Sequence, residues 1–121
     1  MDNFYARAVF FVKDETRART FYTDSLGFSL DWDSGDGVFQ VSLFGFELIL
    51  NDTDERTAAR VGRGRVFIGL EADQSEVLQR HIEEKRIPTT TVEWGKPTLV
   101  IRDLDENELY FWLTRKEGDG E

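Results

Sequence analysis

The predicted strands and helices follow the same order twice along the chain. Residues 5–12, which are rich in Val and Phe, and residues 65–71 are each predicted as a strand, and each stretch is followed by apolar residues at helical spacing. Three short strands then follow in each half, at 28–32, 38–43 and 46–51 and at 89–94, 98–102 and 108–113. An internal repeat of this kind predicts two βαβββ units. One helix covers only one face of its sheet, so the other face must meet the partner half, a ligand or both.

Helix starts and stops bound the two predicted helices. Asp14 is placed as the N-cap of the first helix, and Gly27 is placed as the glycine that ends it. Asp73 with Glu76 three residues later resembles a capping box at the start of the second helix. The second apolar stripe consists of Val77, Leu78, His81 and Ile82.

The length of 121 residues fits one domain over 1–121. The pattern predicts a first module over about 4–51, a linker over 52–64, a second module over about 65–115 and a tail over 116–121. A helical turn is expected near 57–61, within the linker. The fold class is therefore α+β, with two tandem βαβββ modules built on mixed sheets.

Composition excludes several classes of function. The chain has no cysteine, which removes disulfides, thiolate metal sites and cysteine nucleophiles. Its net charge of −9 argues against nucleic acid as a partner, because phosphate contacts need clustered Lys and Arg. The sequence has no apolar run of membrane-spanning length and no signal-peptide pattern, so the expected location is the cytoplasm.

Several segments resemble a known family. The segment 9–14 and the run Phe-Tyr-x-x-x-Leu-Gly-Phe at 21–28 resemble the first βα unit of the vicinal-oxygen-chelate superfamily, which includes glyoxalases, bleomycin-resistance proteins and extradiol dioxygenases. Residues 46–50 resemble the family's fourth strand. Residues 103–109 are similar to its Asp-Pro-Asp-Gly-Asn turn, although Leu104 replaces the proline and Glu106 the glycine. The resemblance implies curled sheets that form a cleft, helices on the outer faces, and a homodimer.

The resemblance also places the family's four metal-ligand positions, which face the cleft. They fall on Arg7, Glu47, Val66 and Tyr110, so one acid is kept. The one histidine, His81, lies on a helical stripe and is interpreted as a packing residue. We therefore expect no metal, no cofactor and no catalytic residues. The alternative is a metal-dependent lyase, isomerase or dioxygenase.

Strand alternation predicts which side chains face the cleft. Arg7, Glu47, Tyr110 and Trp112 share the face opposite the uniformly apolar one, and Trp32 and Trp94 end corresponding strands next to turns. These six residues are the predicted ligand-binding set. Arg7 and Glu47 are expected to pair, either as a structural ion pair at the vacated metal position or as ligand contacts.

The function expected from these residues is small-molecule binding without a metal. Bleomycin-resistance proteins, which the chain resembles, sequester a cationic, planar-ringed drug in an acidic aromatic cleft, which suggests antibiotic resistance. A binder of another metabolite, or an oligomerisation module, is equally compatible with the sequence.

Overall fold

A computed structural model describes residues 7–52, 58–95 and 97–114. The helix α1 (Glu15–Thr20) continues into a π-helical turn at Phe21–Ser25, and α2 spans Ala72–Lys85. A 3₁₀ turn covers Ala58–Arg60. The strands are β1 Ala8–Val12, β2 Ser29–Asp33, β3 Val38–Leu43, β4 Phe46–Asp52, β5 Arg65–Gly69, β6 Thr90–Glu93, β7 Pro97–Arg102 and β8 Glu108–Trp112. The beginning of the first predicted strand, Thr57 and the predicted tail lie outside the described residues.

The strands form two four-stranded sheets with the same topology. The first sheet has the order β1-β4-β3-β2 and the second has the order β5-β8-β7-β6. In each sheet the first strand is parallel to the fourth, and the remaining pairs are antiparallel. This arrangement confirms the predicted α+β fold of two tandem βαβββ modules. We call β1–β4 with α1 the first module, and β5–β8 with α2 the second.

One hydrophobic core lies between the helices and one face of each sheet. The alternate residues predicted to be apolar and inward-facing are buried, and these include Phe10, Val12, Leu48, Leu50, Leu109 and Phe111. Helix residues Ala18, Tyr22 and Leu78 belong to the same cluster. The opposite face of each sheet is not part of this core, and we call these two surfaces the first and the second open face.

The helix starts agree with the sequence in one module and differ in the other. Asp14 caps α1 as predicted, because its Oδ1 accepts a hydrogen bond from the Arg17 backbone N–H at 3.1 Å. The capping box predicted at Asp73 is wrong. Helix α2 begins two residues earlier, after Glu71, whose backbone N–H donates to Gln74 Oε1 at 3.0 Å. Several acidic and amide side chains near this helix start have the three-residue spacing of a capping box. The direction in which the chain enters the helix determines which pair forms it.

The predicted apolar stripe of α2 is narrower than expected. Leu78 is buried, and His81 and Ile82 are partly buried, whereas Val77 is 46% exposed. Val77 therefore lies beside the stripe that contacts the sheet. No helix in the described ranges has the length and apolar character needed to cross a membrane.

The two modules are joined through the turn between β7 and β8. Asn107, which is fully buried, donates from Nδ2 to the Phe11 carbonyl at 3.1 Å and accepts from the Gly64 N–H at 2.8 Å. The Asp103 carboxylate accepts from the Asn107 backbone N–H at 2.9 Å and from the Tyr22 hydroxyl at 2.8 Å. Burial, together with the Asp103 carboxylate, raises the pKa of the Tyr22 hydroxyl well above its usual value. Side chains of both modules thus share one buried polar network.

Candidate functional site

The first open face carries the predicted ion pair. Arg7 Nε donates to Glu47 Oε1 at 2.8 Å, and the two side chains are 36% and 32% exposed. The pair spans adjacent parallel strands, since Ala8 is opposite Leu48 in the register that joins β1 to β4. The pairing expected from the sequence is therefore present, and it is accessible to solvent.

Three further polar side chains on this face were missed. The register shifts between Leu30 and Trp32, and this irregularity places Asp31 over β3. The Asp31 carboxylate accepts from Gln40 Nε2 at 2.8 Å and from Ser42 Oγ at 2.9 Å. Alternation along β3 could have identified Gln40 and Ser42, since both lie between apolar neighbours. The irregularity that brings in Asp31 has no comparable sequence signal.

The second open face carries an aromatic cluster, which consists of Phe67, Trp94, Tyr110 and Trp112. The Trp94 ring is stacked on Tyr110 with centroids 4.5 Å apart and an interplanar angle of 14°. The Phe67 ring is also nearly parallel to Trp94, at 5.7 Å, and meets Trp112 edge-on at 5.5 Å. Trp94 is 49% exposed and Phe67 is 40% exposed. Large aromatic surface is thus available to a ligand on this face.

Strand register and one turn hold the aromatic cluster together. Phe67 is directly opposite Tyr110 in the parallel pair of β5 and β8. The Trp112 indole N–H donates to the Trp94 carbonyl at 3.0 Å, which ties the β6–β7 turn to β8. The chain can make this turn because Gly95 has a φ of +83°, and a Cβ there would lie 3.3 Å from Trp112 Cζ2. The position of Trp94 therefore depends on the glycine that follows it.

A charged cluster adjoins the aromatic cluster. Glu108 accepts from Arg65 Nε at 2.9 Å, from Arg102 Nε at 3.0 Å and from the Tyr110 hydroxyl at 2.8 Å. The Tyr110 hydrogen bond and then the two guanidinium groups lower the pKa of the Glu108 carboxyl. The same hydrogen bond raises the pKa of Tyr110. Tyr110 is shared by the two clusters, because its ring stacks on Trp94 and its hydroxyl contacts Glu108.

Five of the six predicted residues fall into two groups, one on each sheet. Arg7 and Glu47 are paired on the first open face, and Trp94, Tyr110 and Trp112 are in contact on the second. Trp32, in β2 of the first sheet, is 42% exposed. Within the part of the chain that the structure describes, it has no ring contact with the aromatic cluster. Arg65 and Phe67 were missed because the family's fifth-strand position was placed on Val66, which lies between them. Glu108 was left out although strand alternation puts it on the same face as Tyr110 and Trp112.

A groove adjoins the charged cluster of the second open face, since Val100 and Arg102 line it. It has a volume of about 430 Å³ and lies between the π-helical turn and the edge of β6 and β7. None of the six predicted residues lines it; its lining includes Phe21, Ile87, Pro88, Thr90, Arg102 and Glu106. The predicted residues therefore lie on open sheet surfaces.

Sequence comparison decides the family. The family model for the Glyoxalase/Bleomycin resistance protein/Dioxygenase superfamily matches residues 5–111. The chain belongs to this superfamily. The resemblance inferred from residues 9–14 and 21–28 is thus confirmed. No curated protein is significantly similar in sequence.

Solved structures of the superfamily share the fold. A lactoylglutathione lyase from Agrobacterium tumefaciens has a TM-score of 0.68 at 18% identity, covering 91% of this chain and 92% of its own. An antibiotic binding protein from a Streptomyces species has a TM-score of 0.62 at 22% identity, covering 92% and 97%. A glyoxalase/bleomycin resistance protein/dioxygenase from Alicyclobacillus acidocaldarius has a TM-score of 0.68 at 20% identity, covering 90% and 89%. At these identities the likeness establishes the fold and leaves the activity open.

The structure corrects one of the metal-ligand positions carried over from the superfamily. Val66 is opposite Leu109 in the parallel pair of β5 and β8, and it packs against the core, so it cannot point to an open face. Placing the fifth-strand position on Val66 was therefore wrong. Its neighbour Arg65 is opposite Glu108 and pairs with it, as Arg7 pairs with Glu47 in the first module.

The charged residues paired on the two open faces, Arg7 with Glu47 and Arg65 with Glu108, do not fit a metal ion. Each module has an arginine at the start of its first strand, and each arginine donates to a glutamate on the fourth strand. A guanidinium group has no lone pair to offer a metal, and it occupies the carboxylate that would otherwise be a ligand. Within residues 7–52, 58–95 and 97–114, no three His, Cys, Asp or Glu side chains come together as a metal site. His81 lies against Gly27 in the packing position expected from its stripe.

Proposed function

We propose that the protein is a small-molecule-binding protein of the cytoplasm that works without a metal and holds a planar-ringed ligand on the aromatic cluster. The observation that carries this proposal is the contact of Phe67, Trp94, Tyr110 and Trp112 on an exposed sheet face. Exposed, preformed aromatic surface is costly in water and favours stacking of flat rings. An antibiotic binding protein among the structural neighbours is compatible with a role in antibiotic resistance.

The charge of the ligand has weaker support. The net charge of −9 favoured a cationic ligand. The acids that would meet such a group, Asp31 and Glu47, lie on the first open face, and the aromatic cluster lies on the other sheet. Of the two ligand properties expected from the sequence, a planar ring and a positive charge, the structure gives more support to the planar ring.

A homodimer is part of the same proposal. Both open faces expose apolar side chains, including Val9 at 47% and Phe67 at 40%, which an interface or a ligand would cover. Light scattering on the protein as it elutes from a sizing column should give about twice the chain mass of 14.0 kDa. A mass equal to one chain at micromolar concentration would count against the homodimer.

Binding of a neutral planar probe to matched tryptophan variants tests the ring site. Trp94→Ala should weaken the binding of 2-naphthalenemethanol about tenfold in a chelator-containing buffer, since loss of one stacked ring costs about 1–1.5 kcal/mol. Trp32→Ala is the matched control, because its ring is similarly exposed on the other sheet, at 42% against 49%. Equal losses in the two variants, measured by calorimetry, would contradict the proposal.

The alternative function is a metal-dependent lyase, isomerase or dioxygenase of the superfamily. The paired Arg7 and Glu47 argue against it, since a metal would have to displace a charge-assisted hydrogen bond of 2.8 Å. Metal analysis of the purified protein separates the two functions. One equivalent of bound divalent metal, lost on Glu47→Gln, would favour the enzyme over the binding protein.

A further inference from the structure

In the charged cluster beside the aromatic cluster, two guanidinium groups share one carboxylate. Arg65 and Arg102 both donate through Nε to the single carboxylate of Glu108, at 2.9 and 3.0 Å. Glu106 lies 4.0 Å from Arg102 with its side chain 76% exposed, so it offsets part of this charge from the solvent side. The two guanidinium groups are themselves 68% and 44% exposed. Because both share the carboxylate of Glu108, their outer nitrogens are open to an anion from solvent.

The first open face carries its own charged side chains. Arg7 is paired with Glu47, and Asp31 adds a second carboxylate whose partners, Gln40 and Ser42, are neutral. Arg60 also lies on this side, with its guanidinium 5.4 Å from the Phe11 ring centroid. The aromatic cluster on the other sheet is thus adjacent to the exposed guanidinium groups of Arg65 and Arg102, whereas Asp31 and Glu47 lie on the first open face.

Tyr110 fixes the geometry between rings and charge. Its ring lies 4.5 Å from Trp94, and its hydroxyl is 2.8 Å from Glu108 Oε1. Arg65 precedes Phe67 by two positions and lies on the same face of β5. A flat ligand stacked on Trp94 or Phe67 would therefore reach Arg65 by extending along the strand to the next side chain on that face. The distance between strand residues on one face is about 7 Å, the reach of a substituent on a fused ring.

We infer that the ligand class of this site is a planar aromatic compound that carries an anionic group, such as a carboxylate, held by Arg65 and Arg102 beside the stacked ring. This inference rests on the proposed function and specifies the charge of the ligand. Arginine suits the role, since its outer nitrogens can bind an oxyanion while Nε holds Glu108. The net charge of −9 does not oppose it at close range, because salt at about 0.15 M screens exposed charges beyond about 8 Å.

Three probes with one ring system and different charges test the inference. They are 2-naphthoate, 2-naphthalenemethanol and 2-naphthylmethylammonium, titrated into the wild-type protein at low and at high salt. The anion should bind about fivefold tighter than the neutral probe, and the cation should bind weakest. Added salt should reduce the advantage of the anion.

Charge variants locate the effect. Arg102→Gln should remove most of the advantage of 2-naphthoate, and Glu108→Gln should increase it by releasing both guanidinium groups. Arg80→Gln is the control, because it changes the net charge equally from an exposed position on α2. An unchanged ratio of anion to neutral affinity in Arg102→Gln and Glu108→Gln would overturn the inference.

The probe series also distinguishes this inference from the proposed function. If the cation binds tightest, or if all three probes bind equally, the anionic ligand is wrong and the planar-ring site stands. If none of the three probes binds, both are wrong.

Discussion

Asn107 should contribute more to the stability of the junction between the two modules than any surface ion pair does. It is fully buried, and it connects the Phe11 carbonyl of the first module to the Gly64 N–H that precedes the second. Buried backbone groups that lose their partner cost far more than an exposed ion pair contributes. The stability of the junction should therefore depend on this side chain.

Asn107→Ala should lower the free energy of unfolding by about 3 kcal/mol, because two partly buried backbone groups lose their hydrogen bonds at about 1–3 kcal/mol each. Urea denaturation followed by circular dichroism measures the change. Gln79→Ala, on an exposed position of α2, should stay within about 0.5 kcal/mol of wild type. Similar midpoints for Asn107→Ala and wild type would mean that the junction is held elsewhere.

Tyr22 should make the fold sensitive to alkaline pH. Its pKa is raised by burial, so the folded state keeps the hydroxyl proton that the unfolded chain loses near pH 10. The contribution of Tyr22 is complete below pH 10 and decreases as the pH rises above it. Wild type should therefore lose more stability between pH 9 and 11 than Tyr22→Phe does.

Tyr22→Phe also has an effect at neutral pH. It removes the 2.8 Å hydrogen bond to Asp103 and keeps the ring contacts with Phe21 and Phe28, so a loss of about 1–2 kcal/mol is expected at pH 7. Parallel pH profiles of the two proteins, from urea midpoints at each pH, would show that the Tyr22 proton is not linked to folding.

At the level of elements, the β6–β7 turn determines where Trp94 lies. Gly95 has a positive φ, and its missing side chain leaves room for Trp112. Gly45, in the turn between β3 and β4, has a similar φ of +87°, and a Cβ there meets nothing within 4 Å. Both glycines thus have a positive φ, but a side chain at position 95 would contact Trp112 and one at position 45 would contact nothing.

Gly95→Ala and Gly45→Ala should each cost about 1 kcal/mol, because both place a side chain at a positive φ. The Gly95→Ala variant alone should alter the near-ultraviolet circular dichroism that stacked Trp94 and Tyr110 produce. It should also weaken the binding of 2-naphthalenemethanol. Identical spectra for the two variants would indicate that the turn does not position the aromatic cluster.

For the whole molecule, periodicity in the sequence was sufficient to predict the architecture. The repeated βαβββ order, the Asp14 cap and the buried alternate residues of β1, β4 and β8 all follow from local spacing, which the fold preserves. The Arg7–Glu47 pair was predictable for the same reason, since both residues lie one position from a clear apolar stripe.

The rest of the site depended on register, which a single sequence does not encode locally. A one-residue error in β5 moves the assignment from Arg65 or Phe67 to Val66, which lies on the other face of the sheet. Asp31 reaches the first open face through an irregularity in strand pairing, and the contact of Trp94 with Tyr110 depends on a turn. The net charge of the chain also does not give the charges next to the aromatic cluster, which come from Arg65, Arg102 and Glu108.

The most direct test of metal-independent ring binding on the second open face is a titration followed by nitrogen-15 NMR of the indole N–H groups. The chain has three tryptophans, so each signal is assigned by a single Trp→Phe variant. With 2-naphthoate added to chelator-treated protein, the signals of Trp94 and Trp112 should move and saturate together while that of Trp32 stays in place. A shift of Trp32 alone, or a response that appears only after a divalent metal is restored, would contradict the account.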